Sequence, residues 1–266
     1  MDPIDRLVGE WRDSGIGRGD LVMLHSRVDR AYRRYRALGH RLDANALLQS
    51  FLRAVGPDGG LLVPAFRYDF ADGAAFDMRN SPSAMGALSE AARQACGRNR
   101  TGHPFYSFSC FGSVAAELQG RINFDAFGAD SPFALLHRSG GKVAVLDLDD
   151  QHSVTFYHYV EQCLGVPYRF KKRFTGRHID LDGTERTLTF EMLVRDLDAG
   201  VVTHVNPMGE VLWQKGLYRG DRPGEGNGLR TIAAAELFDA TAEVIREGRA
   251  LGMLYRVENR QGAAHE

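Results

Sequence analysis

The chain has little of what would mark many functional classes. Its 266 residues include only three cysteines, Cys96, Cys110 and Cys163, widely spaced and without a CxxC pair. That excludes a disulfide framework or a zinc ribbon, and fits the reduced thiols of a cytoplasmic protein. The formal net charge is −1, so no global field advertises nucleic acid or an anionic membrane. No apolar run approaches membrane-spanning length. The opening Asp2–Trp11 stretch is acidic and amphipathic, so no secretory leader is expected. There is no GxSxG elbow, Walker loop, HExxH or HxH pattern, internal repeat or low-complexity tract. What remains is an ordinary globular composition, 44% apolar and 25% charged, with ample chain for a single large domain.

Periodicity supplies the architecture. Asp2-Pro3 is an N-cap and first-turn pair, followed by Ile4, Leu7, Val8 and Trp11 on one helical face. Residues 20–25 form a short apolar strand. A helix from Asp43 turns inward Leu47, Leu48, Phe51, Leu52 and Val55. GPDGG (56–60) then leads into a strand over 61–66. A helix is expected over 84–95, opened by capping serines in Ser81-Pro82-Ser83. Strands follow around 106–111 and 142–148, then a further helix carrying His158. Residues 176–190 read as a hairpin turned at Asp182-Gly183, 216–230 as a long loop, and 233–249 as a helix. Alternating strands and helices imply a three-layer α/β/α domain around a mostly parallel sheet, with a smaller α+β elaboration towards the C-terminus.

In such a sheet, ligands bind beyond the carboxyl ends of the strands. Three polar clusters fall there: His25-Ser26-Arg27, Arg67-Tyr68, and Asp147 to Thr155. The first has the hydroxyl and guanidinium that suit an anion. In Thr155-Phe156-Tyr157-His158-Tyr159-Val160-Glu161, a histidine and a carboxylate lie three residues apart, on one helical face. That equips His158 as a general base near neutral pH. Glu210 is an alternative partner for it. Asp147, Asp149, Asp150, His152 and His158 also permit a metal-dependent hydrolase, and a non-catalytic binding module is a third option.

Four ordered blocks carry a family resemblance: 19–26 (GDLVMLHS); 56–66 (GPDGGLLVPAF); 81–93 (SPSAMGALSEAAR), running on to Arg100-Thr101-Gly102-His103-Pro104 and Ser107; and Ser131-Pro132 with 140–143, closed by the His158 segment. Together they resemble the aminoglycoside 3-N-acetyltransferase family of coenzyme-A-dependent N-acyltransferases. The resemblance implies direct acyl transfer to a sugar amine, with His158 as base and Glu161 orienting it. It implies that His25, Ser26, Arg27 and Val28 hold the coenzyme A pyrophosphate, with His103 on the cofactor side. Ser107 and Thr155 would meet the pantetheine end or the acyl carbonyl. The co-substrate is then acetyl-CoA or 3-hydroxybutyryl-CoA, and no metal is required. The third core strand departs from the family's usual glycine ending, and an acidic C-terminal segment is replaced by Leu254-Tyr255-Arg256-Val257. The cations Lys171, Lys172 and Arg173 follow the His158 helix. With Arg67 and Tyr68 they suggest an acceptor site for a nucleotide-linked amino sugar, as in surface-polysaccharide synthesis. The alternative is an aminoglycoside antibiotic. No nucleic-acid or membrane partner is expected, and a homodimer is left open.

Overall fold

The computed structural model describes residues 2–258. Helix α1 (Pro3–Asp13) starts where Asp2 Oδ1 accepts the Ile4 N–H at 3.0 Å. Strand β1 (Leu21–Ser26) leads to α2 (Asp29–Ala37), then α3 (Ala44–Val55), capped by Asp43, and β2 (Gly60–Pro64). A two-residue strand β3 (Phe76–Asp77) precedes α4 (Ala87–Ala95). Its N-cap is Gly86, without a side-chain cap. The serines expected to cap it act one turn earlier: Ser81 Oγ accepts the Asp77 N–H and Ser83 Oγ that of Met85. After β4 (Phe108–Gly112) come α5 (Ala115–Leu118), α6 (Pro132–Arg138), β5 (Lys142–Leu146) and α7 (Phe156–Leu164).

A hairpin of β6 (Arg169–Ile179) and β7 (Glu185–Arg195) follows, turning at Gly183, whose φ is 87°. It begins earlier than its alternating pattern suggested and takes in the Lys171–Arg173 run. The chain closes through β8 (Val201–Thr203), α8 (Asn206–Gln214), β9 (Arg219–Gly220), β10 (Leu229–Ala233), α9 (Ala234–Arg246) and β11 (Tyr255–Val257).

The main sheet has the order β4-β2-β1-β5-β10-β9. Strands β2, β1 and β5 are mutually parallel, and β4 and β10 run against their neighbours. Because β9 is antiparallel to β10, four of the six strands point the same way. The expected loop over 216–230 therefore contains the start of an interior strand. Arg230, its second residue, concealed it, because a charge at a buried strand position is unreadable until its partner is known. The C-terminal part is thus no mere appendage: it supplies two strands to the main sheet.

Both faces of that sheet are covered, so its strands read as continuous apolar runs in which alternate residues face opposite layers. Val22, Leu24, Leu61, Val63, Ala144 and Leu146 meet α1 and α3 through Leu7, Trp11, Leu47 and Phe51. Met23, Leu62, Val143 and Val145 meet α6, α7 and α9 through Phe133, Phe156 and Leu237. His25 has the parity of Met23, so β1 aims it at the layer that contains α7, and Ser26 at the other.

Candidate active site

Beyond the carboxyl ends of β1, β2 and β5 lies a cleft of about 240 Å³. Its walls come from five sequence-distant segments: His25; Phe66 and Tyr68; Met85; Tyr106; and Asp150 to Thr155 with His158. Thr203 and Val205 close it. Each of the three strand-end clusters singled out in the sequence thus contributes to one cavity, through His25, Tyr68 and Asp150 to Thr155, whereas Ser26, Arg27 and Arg67 do not line it.

His158 is the cleft's titratable centre. Helix geometry stacks it over Glu161, and His158 Nδ1 lies 2.7 Å from Glu161 Oε2. The His158 side chain is 19% exposed, whereas that of Glu161 is fully buried. Gly165, in the left-handed conformation at φ 60°, ends α7 and turns the chain back along it. That reversal brings Arg169 Nε to 2.7 Å from the same Glu161 oxygen, and Arg169 Nη2 donates to Thr203 Oγ1 at 2.9 Å. Burial pushes the Glu161 carboxyl up, but the hydrogen bond to His158 and the Arg169 charge outweigh it and hold the carboxyl below its ordinary value. A carboxylate can only accept, so His158 Nδ1 carries the proton and Nε2 is left as the basic nitrogen. Burial first, then Arg169, lower the His158 pKa against the support of Glu161, so the imidazole is neutral at pH 7. Glu210, the alternative partner, is instead exposed and paired with Arg222 at 2.7 Å.

The acidic stretch after β5 is spent on structure. Asp150 Oδ2 accepts from the Tyr157 and Tyr218 hydroxyls at 2.6 and 2.7 Å, and Oδ1 from Arg230 Nη2 at 2.8 Å. Burial pushes both phenols well above their ordinary range, so they stay neutral donors. Asp147, itself at φ 51°, accepts from Arg30 Nε and the Gly224 N–H. Asp149 accepts the N–H of His152 and pairs with its ring. Among the described residues no group of three or more His, Cys, Asp or Glu could share an ion. The hydrolase alternative therefore loses the acids on which it was built.

The remaining candidates divide. Thr155 lines the cleft at the start of α7, its hydroxyl reaching only the Ser153 carbonyl at 3.4 Å. Tyr68 lines it and is half exposed. His25 lines it too, but burial and then the Arg230 charge lower its pKa to about 3. It therefore brings no positive charge to a pyrophosphate. Ser26 Oγ is buried without a partner, Arg27 is exposed, and Val28 packs into the core on the far layer.

Ser107 and His103 do not line the cleft. The Ser107 hydroxyl is fully buried between the Ala65 carbonyl and the Arg100 guanidinium. His103, equally buried, contacts the Glu191 carbonyl through Nε2 and accepts the Tyr106 N–H at Nδ1. Arg67 is clamped by Asp69. Lys171 pairs with Asp125 at 2.6 Å and Arg173 with Glu191 at 3.0 Å, whereas Lys172 lies over the Phe174 ring on the opposite face of β6. Strand alternation splits the expected cationic rim, and acidic neighbours neutralise two of its three charges. Arg169, Tyr218 and Arg230, which pack behind the cleft on Glu161 and Asp150, were missed, since only their distant partners identify them, and the sequence marks Asp150 only as a metal ligand.

The layered sheet with its cleft at the strand ends is the fold of solved aminoglycoside acetyltransferase structures. It superposes on the crystal structure of aminoglycoside acetyltransferase AAC(3)-Xa with a TM-score of 0.75, at 26% identity and covering 92% of each chain. It superposes on AAC-IIIb, solved in binary complex with CoASH, with a TM-score of 0.76 at 21% identity, covering 92% of this chain and 96% of that one. The family model for aminoglycoside 3-N-acetyltransferase matches residues 34–246, and the chain belongs to that family. It is 30% identical over 194 residues to aminoglycoside N(3)-acetyltransferase VIII of Streptomyces fradiae, covering 64% of this chain and 63% of that protein. It is 32% identical over 184 residues to aminoglycoside N(3)-acetyltransferase IX of Micromonospora chalcea, covering 60% and 62%. The chain thus spans less than two thirds of the length of the curated relatives it matches.

Proposed function

We propose that the chain transfers an acetyl group from acetyl-CoA to an amino group of an aminoglycoside, in a direct reaction with His158 as general base. The observation that carries this is a neutral imidazole lining a strand-end cleft, with Nδ1 fixed on a buried carboxylate and Nε2 left basic. An ammonium cannot attack a carbonyl, so the amine must give up a proton. That proton goes to solvent; as the nitrogen–carbon bond forms, the amine's second proton passes to Nε2, which returns it to the departing thiolate as the carbon–sulfur bond breaks. Glu161 stabilises the imidazolium formed in between. Thr155 lines the cleft at the start of α7, and its hydroxyl is our candidate donor to the carbonyl oxygen as it gathers charge. The apolar walls Phe66, Met85 and Tyr106 suit pantetheine. Arg27, exposed at the end of β1, is the candidate for the pyrophosphate.

The nucleotide-linked acceptor inferred from Lys171–Arg173 gives way to the aminoglycoside. Those charges are already paired or split between faces, and the relatives are named aminoglycoside N(3)-acetyltransferases. Acetyl replaces 3-hydroxybutyryl on the same ground. A cytoplasmic site of action is consistent with this donor. The test is a thiol-release assay with acetyl-CoA across gentamicin- and neomycin-type drugs and nucleotide-linked amino sugars. Turnover on the drugs, lost by roughly 10²-fold or more in His158→Ala, is expected. Full turnover in that variant, or acetylation of the nucleotide sugars alone, overturns the proposal.

A further inference from the structure

Directly behind the base sits a cation that no step of the transfer uses. Arg169 is the first residue of β6, its side chain only 4% exposed, and it meets the same Glu161 oxygen that holds His158. Its other anchor is Thr203, whose hydroxyl it reaches at 2.9 Å and which itself lines the cleft. One carboxylate oxygen is thus shared between imidazole and guanidinium, each at 2.7 Å. Glu161 Oε1 has no hydrogen-bond partner, so the carboxylate is held mainly through that shared oxygen, with the Tyr168 hydroxyl beside it.

We infer that Arg169 is a positioning residue for the His158–Glu161 pair: it fixes the carboxylate and sets the basicity of the imidazole. The inference rests on the transfer reading for its role in turnover, although not for its effect on titration. A buried carboxylate alone would hold His158 as a tight imidazolium pair, protonated and unable to accept a proton. A cation at the same oxygen offsets part of that attraction, and the ring stays neutral but oriented. The other groups that face the pair do not supply this. Arg195, opposite Arg169 across the hairpin register, also lowers His158, but it ranks after Arg169 and Glu161 among the influences on the ring. The Tyr106 and Tyr168 hydroxyls are both pushed up by burial and stay neutral. Phe127 meets the ring edge-on and carries no charge.

The test compares wild type, Arg169→Lys and Arg169→Gln by NMR titration of the His158 ring and by the pH profile of kcat/KM. In Arg169→Gln the His158 midpoint and the acid limb of the profile are expected to move up together by about one pH unit. Arg169→Lys, which keeps the charge, should stay close to wild type. A folded Arg169→Gln protein with both unmoved overturns the inference. Should that variant not fold, Thr203→Val, which only frees the guanidinium's second anchor, takes its place: an upward shift supports the assignment and an unmoved midpoint overturns it. A wild type that titrates as expected yet transfers no acetyl group sinks the proposed function and leaves the Arg169 assignment standing.

Discussion

Mild acid should destabilise this protein through its interior histidines, His103 and His25 foremost, rather than through its carboxylates. His103 is fully buried with both ring nitrogens occupied: Nε2–H on the Glu191 carbonyl, and Nδ1 accepting from the Tyr106 N–H. A second ring proton would break the latter bond, and burial lowers the pKa to about 4. His25, buried and near Arg230, is lowered to about 3. In the unfolded chain both titrate near 6.5. Below that value the unfolded state binds protons that the folded state does not, so stability falls as pH falls. Between pH 7 and about pH 5 each ring contributes a loss of about 2 kcal/mol, or about 4 kcal/mol together. That is a large share of a typical domain stability of about 5–15 kcal/mol. Carboxylates titrate lower and enter little in this window. Urea unfolding at both pH values measures it directly. His103→Gln and His25→Asn should each flatten the pH dependence by about 2 kcal/mol, the remainder coming from His158, His178 and His137, which burial also lowers. A wild-type stability that is level across the window, or variants with the wild-type slope, would refute the reasoning.

Two further outcomes follow from the site. Glu161→Gln keeps the shape but removes the charge that stabilises the imidazolium; kcat should fall by roughly 10²-fold with KM little changed, measured by initial rates of thiol release. Asp150→Asn leaves Arg230 without its buried counter-charge and deprives Tyr157 and Tyr218 of a charged acceptor. A loss of about 3–5 kcal/mol in urea midpoint stability is expected.

Much of the fold was legible locally. Asp2-Pro3 and Asp43 marked helix starts, and the apolar runs before His25 and after Gly60 marked parallel strands, because caps and periodicity act over a few residues. The pairing of His158 with Glu161 was legible for the same reason: a spacing of three on a helix is a distance. What stayed hidden shares one property, a charge whose meaning depends on a partner far along the chain. Arg230 disguised a core strand because Asp150 lies 80 residues away. Lys171, Lys172 and Arg173 read as a cationic patch because strand alternation and the distant Asp125 were invisible. Ser107 and His103 sit in family-like blocks, yet their polar atoms are consumed by buried hydrogen bonds within the scaffold.

The amino-acid sequence by itself determined the layered α/β class, the strand ends as the place for chemistry and the imidazole–carboxylate spacing, since each follows from local backbone geometry. Only the tertiary structure decided which polar groups face the cleft and which are silenced in ion pairs. Burial converts a charge from a solvated surface group into one defined by its nearest neighbour, and that neighbour is chosen by the packing of layers rather than by position along the chain.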